Sequence, residues 1–274
     1  MSTRRLSLAH LSMISVAPVE LVRAASSAGF DSVGLRLAPT SHGVDHGVLG
    51  SRQALAEIRR ELDASGTSVL DVEVIRVREP ERMTEPGPLI EAAALLGASW
   101  IITTIEDADV SRRTDTLGRL CAEAARAGVG ISLEFMVFSA VPTLTAALSL
   151  LGAVGAANAV VLVDALHHER GGSLPEDLAT VPPHLLPYIQ VCDARTAGPQ
   201  TDTAAARAEA VTARLLPGDG ALPLETLVAM APATAALSVE APLAWPDDTT
   251  DPAATAQRAW DSVQYLLTRE PGQP

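Results

Sequence analysis

The chain contains no lysine; all 20 of its Lys and Arg residues are arginine. Without that amine there is no lysine Schiff base and no lysine-bearing phosphate loop. An enzyme of this sequence that acts on carbonyl compounds must polarise them differently, and a metal ion is the direct route. Aromatic residues are nearly as scarce, at 3% of 274 residues, while 47% of the chain is hydrophobic. The core must therefore be layered from Ala, Val and Leu, which suits a barrel interior. The two cysteines, Cys121 and Cys192, show neither paired nor zinc-type spacing and read as buried packing residues. No apolar run approaches the ~18 residues of a membrane span, and the segment after Arg4 and Arg5 lacks a signal peptide's apolar core. A net charge of −13 disfavours nucleic acid and anionic membrane as partners. These absences predict a soluble, cytoplasmic protein acting on a small molecule.

What is present is a rhythm. Apolar runs predict strands at residues 6–13, 30–37, 68–77, 100–105, 129–136, 158–164, 186–193 and 236–240. Helical periodicity falls between them at 17–28, 52–64, 88–96, 114–127, 142–151, from about Pro175, at 222–230 and at 254–267. Several of these helices stop at a glycine: Gly29, Gly66, Gly97 and Gly128. Eight strands alternating with eight helical segments predict an α/β fold, a single (β/α)8 TIM barrel spanning residues 1–274. A doubly wound sheet would use fewer units and a glycine-rich first turn. The stretch 195–213, rich in Thr, Ala and Gly, reads as a long loop.

Four predicted strands end in oxygen-bearing side chains: Glu134, Asp164, Gln190 and Glu240. Neighbouring strand ends of a barrel share one mouth, so these side chains would meet. Three carboxylates converging without a cation repel strongly. A bound divalent metal resolves the repulsion, and four oxygen donors suit Mn²⁺ or Mg²⁺ better than zinc. The plainer reading of Asp164 is a cap on the next helix.

At these positions the chain resembles the xylose isomerase-like TIM barrels, the sugar phosphate isomerase/epimerase superfamily. The motifs are Leu-Glu-Phe at 133–135, Val-Asp-Ala-Leu-His at 163–167, and Ile-Gln-Val-Cys-Asp-Ala at 189–194. Arg214 ahead of Pro217-Gly218-Asp219-Gly220, and Ser-Val-Glu at 238–240, complete them. The resemblance implies one divalent metal held through Glu, Asp, His and Glu in strand order, with Gln190 standing where the family has His. It implies a substrate whose carbonyl and neighbouring hydroxyl chelate that metal, enolised through a metal-bound enediolate. Glu134 and Glu240 would be both ligands and the acid/base pair. His167 would hydrogen-bond substrate and Arg214 would stand near it; Arg36 and Glu73, by ending and interrupting the second and third strands, could also face the mouth and line the pocket. By analogy a homo-oligomer is one assembly open to the chain.

The resemblance thus implies a metal-dependent isomerase or epimerase of a small polyhydroxylated ketone or sugar. The Gln substitution also resembles some 3-dehydroshikimate dehydratases, although residues 135–139 lack the basic side chains those enzymes carry there. A sugar-binding barrel without turnover is the third reading. Several residues have bland alternatives. Glu240 reads equally as a ligand with no proton role, and His167 as an orienter of a metal ligand. Arg214 reads as solvated, and Arg36 with Glu73 as a structural ion pair. His10 reads as core packing, His168 as a surface residue, and the acidic run 106–109 as a solvated loop. Specificity is expected in the loops 38–50 and 195–213.

Overall fold

The computed structural model describes residues 4–39, 44–198, 201–242 and 251–269. The strands are β1 (Leu6–Leu8), β2 (Ser32–Arg36), β3 (Ser68–Val77), β4 (Trp100–Ile105), β5 (Gly130–Glu134), β6 (Ala159–Asp164), β7 (Tyr188–Val191) and β8 (Ala236–Val239). They pair in sequence order, all parallel, and β8 closes on β1 through Ser7↔Ser238, giving the predicted (β/α)8 barrel. The helices are α1 (Pro18–Ala28), α2 (Arg52–Ser65), α3 (Gly87–Leu96), α4 (Val110–Arg126), α5 (Leu144–Val154), α6 (Ala165–Arg170), α7 (Thr203–Thr212), α8 (Leu224–Met230) and α9 (Pro252–Thr268).

Two apolar clusters hold this arrangement. The larger lies between the strands' outer faces and the helices, and includes Leu8, Val33, Val72, Ile101, Leu133, Val161 and Val239. The smaller fills the barrel interior with Leu70, Ile102, Leu162, Tyr188 and Ala236. The Tyr188 hydroxyl donates to Ser132 Oγ at 3.0 Å, so the interior's buried phenol has a partner. Both cysteines are buried, as the sequence predicts.

The mouth depends on β3. Its pairing with β2 steps from Val33↔Val69 to Gly34↔Asp71, and its pairing with β4 from Val72↔Ile101 to Ile75↔Thr103. Each step inserts one extra residue in β3, a bulge that breaks strict alternation. As a result Glu73, Val74 and Arg76 all line the mouth. The charges that interrupt this apolar run in the sequence are there because the strand is bulged toward the site.

Four expectations need correction. The first strand stops at Leu8, and His10–Met13 forms a 3₁₀ turn because Ser12 leaves the ladder, its amide bonding Ala9 O and its hydroxyl Val239 O. α4 starts at Val110, since the Asp109 side chain accepts from the Arg112 amide and caps it. A short helix, α6, follows Asp164 directly. The stretch 195–213 is not one long loop but contains α7, capped by Asp202, which accepts from the Ala204 and Ala205 amides. Residues 40–43 and 199–200 of the two expected specificity loops lie outside the described residues.

Candidate active site

Glu134 closes β5 and Asp164 closes β6, beside Gln190 of β7 in register; Glu240 follows β8, its amide on Val191 O at 3.0 Å. All four candidate ligands are buried at one rim. Asp164 does cap α6, with Oδ1 accepting from the His167 amide at 2.9 Å. Its Oδ2 accepts from Arg214 Nη1 at 2.6 Å, so cap and site residue are the same carboxylate.

Arg214 lines the cavity, where the sequence reading put it, and is not solvated: it is buried at the centre of the cluster. Besides Asp164, its Nη1 lies 2.9 Å from Glu240 Oε2 and donates to Glu240 O at 3.2 Å. Its Nε donates to Ala210 O at 2.7 Å. Gln190 Nε2 donates to Glu240 Oε1 at 2.8 Å, which leaves Gln190 Oε1 buried without a hydrogen-bond partner.

Charge decides what such a cluster needs. Burial, then repulsion from Glu240 and Asp164, pushes Glu134 well above the usual carboxylate range. Burial also lifts Glu240 to about 8, against the pull of Arg214. For Asp164 burial acts upward too, but Arg214, His167 and the His167 amide outweigh it and hold the acid low. With all three acids ionised, one guanidinium would leave two negative charges uncompensated, and it is burial, with that excess, that pushes Glu134 and Glu240 toward their protonated forms. Arg36 and Glu73 pair with each other and add none. The deficit equals the charge of one divalent cation, and the orphaned Gln190 Oε1 supplies a neutral oxygen donor suited to such an ion. Among the described residues no three His, Cys, Asp or Glu side chains are already gathered as a ligand cluster. The residues therefore fit an ion by donor type and by the charge their ionised forms would carry, with Arg214 bridging Asp164 and Glu240 and the Gln190 amide bonded to Glu240.

The loop that delivers Arg214 is anchored on Asp193. Backbone bonds in both directions join Asp193 to Leu215 at 2.8 Å. The Asp193 carboxylate accepts from the amides of Gly218 at 3.0 Å and Leu222 at 2.9 Å. The Pro217-Gly218-Asp219-Gly220 motif thus folds around one acid. A Cβ on Gly220 would sit 2.3 Å from Ala194 O and from Asp193 Oδ1. Gly220→Ala is expected to cost about 1–3 kcal/mol by forcing backbone apart. Thermal unfolding checks this, and an unchanged melting point would show that the loop is not anchored in this way.

A cavity of about 630 Å³ opens above the cluster. Glu134, Glu240, His167, Arg36, Glu73 and Arg214 line it, whereas Asp164 and Gln190 lie beneath, fully buried. His167 Nε2 lies 3.8 Å from Glu134 Oε1 and 3.4 Å from Arg214 Nη2. Burial lowers the His167 pKa to about 4, so the ring is neutral near pH 7 and its contact with Glu134 is not an ion pair. His10 packs in the core as expected, accepting the Arg36 amide at Nδ1 and donating from Nε2 to Val16 O. His168 is not a surface residue: it is buried, with its ring at an edge angle to Phe135. Nor is the acidic run simply solvated, since Asp107 is fully buried against Arg112 and Glu106 is bidentate to Arg78. The sequence reading missed two cavity arginines, Arg76 and Arg207. Arg76 stood in plain view within β3, and Arg207 was hidden by the overlooked α7.

No family model matches the sequence, and no curated protein does. Solved structures do share its fold. A xylose isomerase-like TIM barrel/4-hydroxyphenylpyruvate dioxygenase fusion protein superposes with a TM-score of 0.80 at 19% identity. That match covers 97% of this chain but only 43% of the fusion, so the chain spans less than half its length. An IolI protein with a binding zinc atom gives a TM-score of 0.79 at 17% identity, covering 98% of this chain and 100% of that one. The 3-keto-D-glucoside 4-epimerase YcjR from E. coli gives 0.71 at 17% identity, covering 97% and 100%. The chain shares the (β/α)8 barrel fold of these structures. Among the described residues no helix is long and apolar enough to cross a membrane.

Proposed function

We propose that the chain is a divalent-metal-dependent isomerase or epimerase of a small polyhydroxylated ketone or sugar. One observation carries this reading: Glu134, Asp164, Gln190 and Glu240 are buried at one rim, where three acids face a single guanidinium and two of them are held above the usual carboxylate range. An epimerase and a zinc-binding protein with the same fold lend it support. Glu134 and Glu240, with Gln190 Oε1 and Asp164 behind them, are the residues that would hold the ion, Mn²⁺ or Mg²⁺. Bound there, it would act as a Lewis acid on the substrate carbonyl and offset the negative charge that develops on enolisation.

The chain's own residues supply the proton chemistry. Glu134 removes the proton from the carbon next to the carbonyl; the C–H electron pair becomes the enediolate double bond, and the carbonyl oxygen takes the charge. Glu240, at the end of β8, returns a proton. In an epimerase it goes to the opposite face of the same carbon, with the carbonyl re-forming; in an isomerase it goes to the neighbouring carbon, with the hydroxyl proton passing to the former carbonyl oxygen as the new carbonyl forms. A carboxylate held above its ordinary range is a stronger base once it has lost its proton, which suits Glu134 to a weakly acidic C–H. His167, neutral and cavity-facing, hydrogen-bonds a substrate hydroxyl, while Leu11, Ile14, Val74 and Phe138 line the cavity with apolar surface that excludes water.

The test is incubation with D-fructose, D-tagatose and 3-dehydroshikimate in D₂O with Mn²⁺, followed by NMR and by calorimetric titration of the metal. Stoichiometric Mn²⁺ binding and deuterium at the α-carbon of a ketose are the expected outcomes. Dehydration of 3-dehydroshikimate would establish the lyase alternative instead. Binding of a ketose without exchange would leave a sugar-binding barrel, and no stoichiometric metal would sink both enzyme readings.

A further inference from the structure

We propose that the substrate carries an anionic terminus, a carboxylate or a phosphate, and that Arg76 and Arg207 receive it at the rim of the cavity. The rest of the substrate follows from the enolising reading above. The anion site is argued from a different set of residues.

Three arginines crowd one carboxylate beside the cavity. Glu106 gives both oxygens to Arg78, at 2.7 and 3.0 Å. Arg76 approaches the same acid only to 3.8 Å and Arg82 to 3.9 Å, with Glu79 3.5 Å from Arg82. The half-buried Arg76 therefore keeps a charge that Glu106 does not fully balance. Burial and the neighbouring guanidinium groups of Arg36 and Arg78 disfavour that charge further. Arg207 reaches the cavity from α7, its guanidinium 4.6 Å above the Phe138 ring, and makes no hydrogen bond or ion pair among the described residues. Phe138 packs edge-on against His167 with ring centroids 5.4 Å apart, which ties the Arg207 platform to the floor of the site.

Polarity then orients the ligand. The floor is rich in carboxylates and repels an anion, whereas the rim offers two guanidinium groups with unfilled hydrogen-bond positions. Planar, forked donors match carboxylate and phosphate oxygens, and a ring beneath one of them fixes its plane. A substrate with an enolisable end and an anionic end can enter in only one direction. This cation supply, absent from residues 135–139, comes from β3 and α7 instead.

The experiment compares the Mn²⁺-loaded protein's affinity for D-fructose, D-fructuronate and D-fructose 6-phosphate by calorimetry, in wild type and in the double variant R76Q/R207Q. At least tenfold tighter binding of one anionic ligand is expected, weakening with added salt, and the carboxylate and phosphate arms identify which anion is preferred. In R76Q/R207Q the preference disappears while D-fructose affinity is retained. The proposal is overturned if D-fructose binds as tightly as both anions, or if the preference survives in the double variant. If no sugar binds, the enolising reading has failed, and inorganic phosphate becomes the probe. A phosphate-induced rise in melting temperature that R76Q/R207Q abolishes still supports the anion site, and its absence overturns it.

Discussion

Glu134→Gln is expected to lower the rate of α-proton exchange by about 10²- to 10⁴-fold, the usual worth of a positioned general base, while leaving the melting temperature unchanged or higher. The two halves of that expectation have one cause. Glu134 is buried beside Glu240 and Asp164, its side chain makes no hydrogen bond among the described residues, and the His167 imidazole 3.8 Å away is neutral. Burial and two acidic neighbours oppose its ionisation, so the charge contributes nothing to the fold and an isosteric amide costs no stability. The same carboxylate is what the proposed reaction needs. A variant with intact exchange and a lower melting point would remove Glu134 from the mechanism and show that its charge is structurally satisfied.

Arg214→Met should do the reverse and destabilise the barrel strongly. The guanidinium bridges Asp164 and Glu240 with all three groups buried. Removing one partner of a buried ion pair typically costs about 3–5 kcal/mol, since the remaining charges stay uncompensated. In a domain of this size that corresponds to a melting-point loss of roughly 6–15 °C. Mn²⁺ should recover part of the loss in Arg214→Met, because Asp164 and Glu240 lose the cation they share. Arg214→Lys should not restore stability, since an ammonium cannot reach Asp164, Glu240 O and Ala210 O in one fork. Differential scanning calorimetry with and without metal separates these outcomes. A loss under 1 kcal/mol would mean that the cluster is already neutral through protonated acids.

What the sequence shows of this barrel depends on how local the determining physics is. β3 and β4 are read to the residue because a long apolar run bounded by polar residues is set by its own composition. β7 is read too long, since Leu186 and Pro187 are as apolar as the strand but lie outside its ladder. α7 goes unread because only Ala206 and Ala210 are buried, so its apolar stripe is two methyl groups wide. Asp202 followed by Thr-Ala-Ala-Ala was nevertheless a helix start in plain sight. The four rim oxygens were legible because strand ends of a barrel must converge. The pairing of Arg214 with Asp164 was not, because an ion pair 50 residues apart leaves no periodic trace. Arg36 with Glu73 is the middle case: the pair forms as foreseen and still faces the cavity.

The two thiols give the barrel a further property. Cys121 and Cys192 are both buried, and burial pushes the Cys121 thiol up to about 11 and the Cys192 thiol higher still, so neither offers a thiolate near neutral pH. With no lysine amine in the sequence either, the molecule presents almost nothing to the common electrophilic labels. A single engineered cysteine would therefore be a unique attachment point. Thr212, exposed at the end of α7 and bordering the cavity, is the natural position. A dye placed there would report what enters the mouth against a chemically silent background.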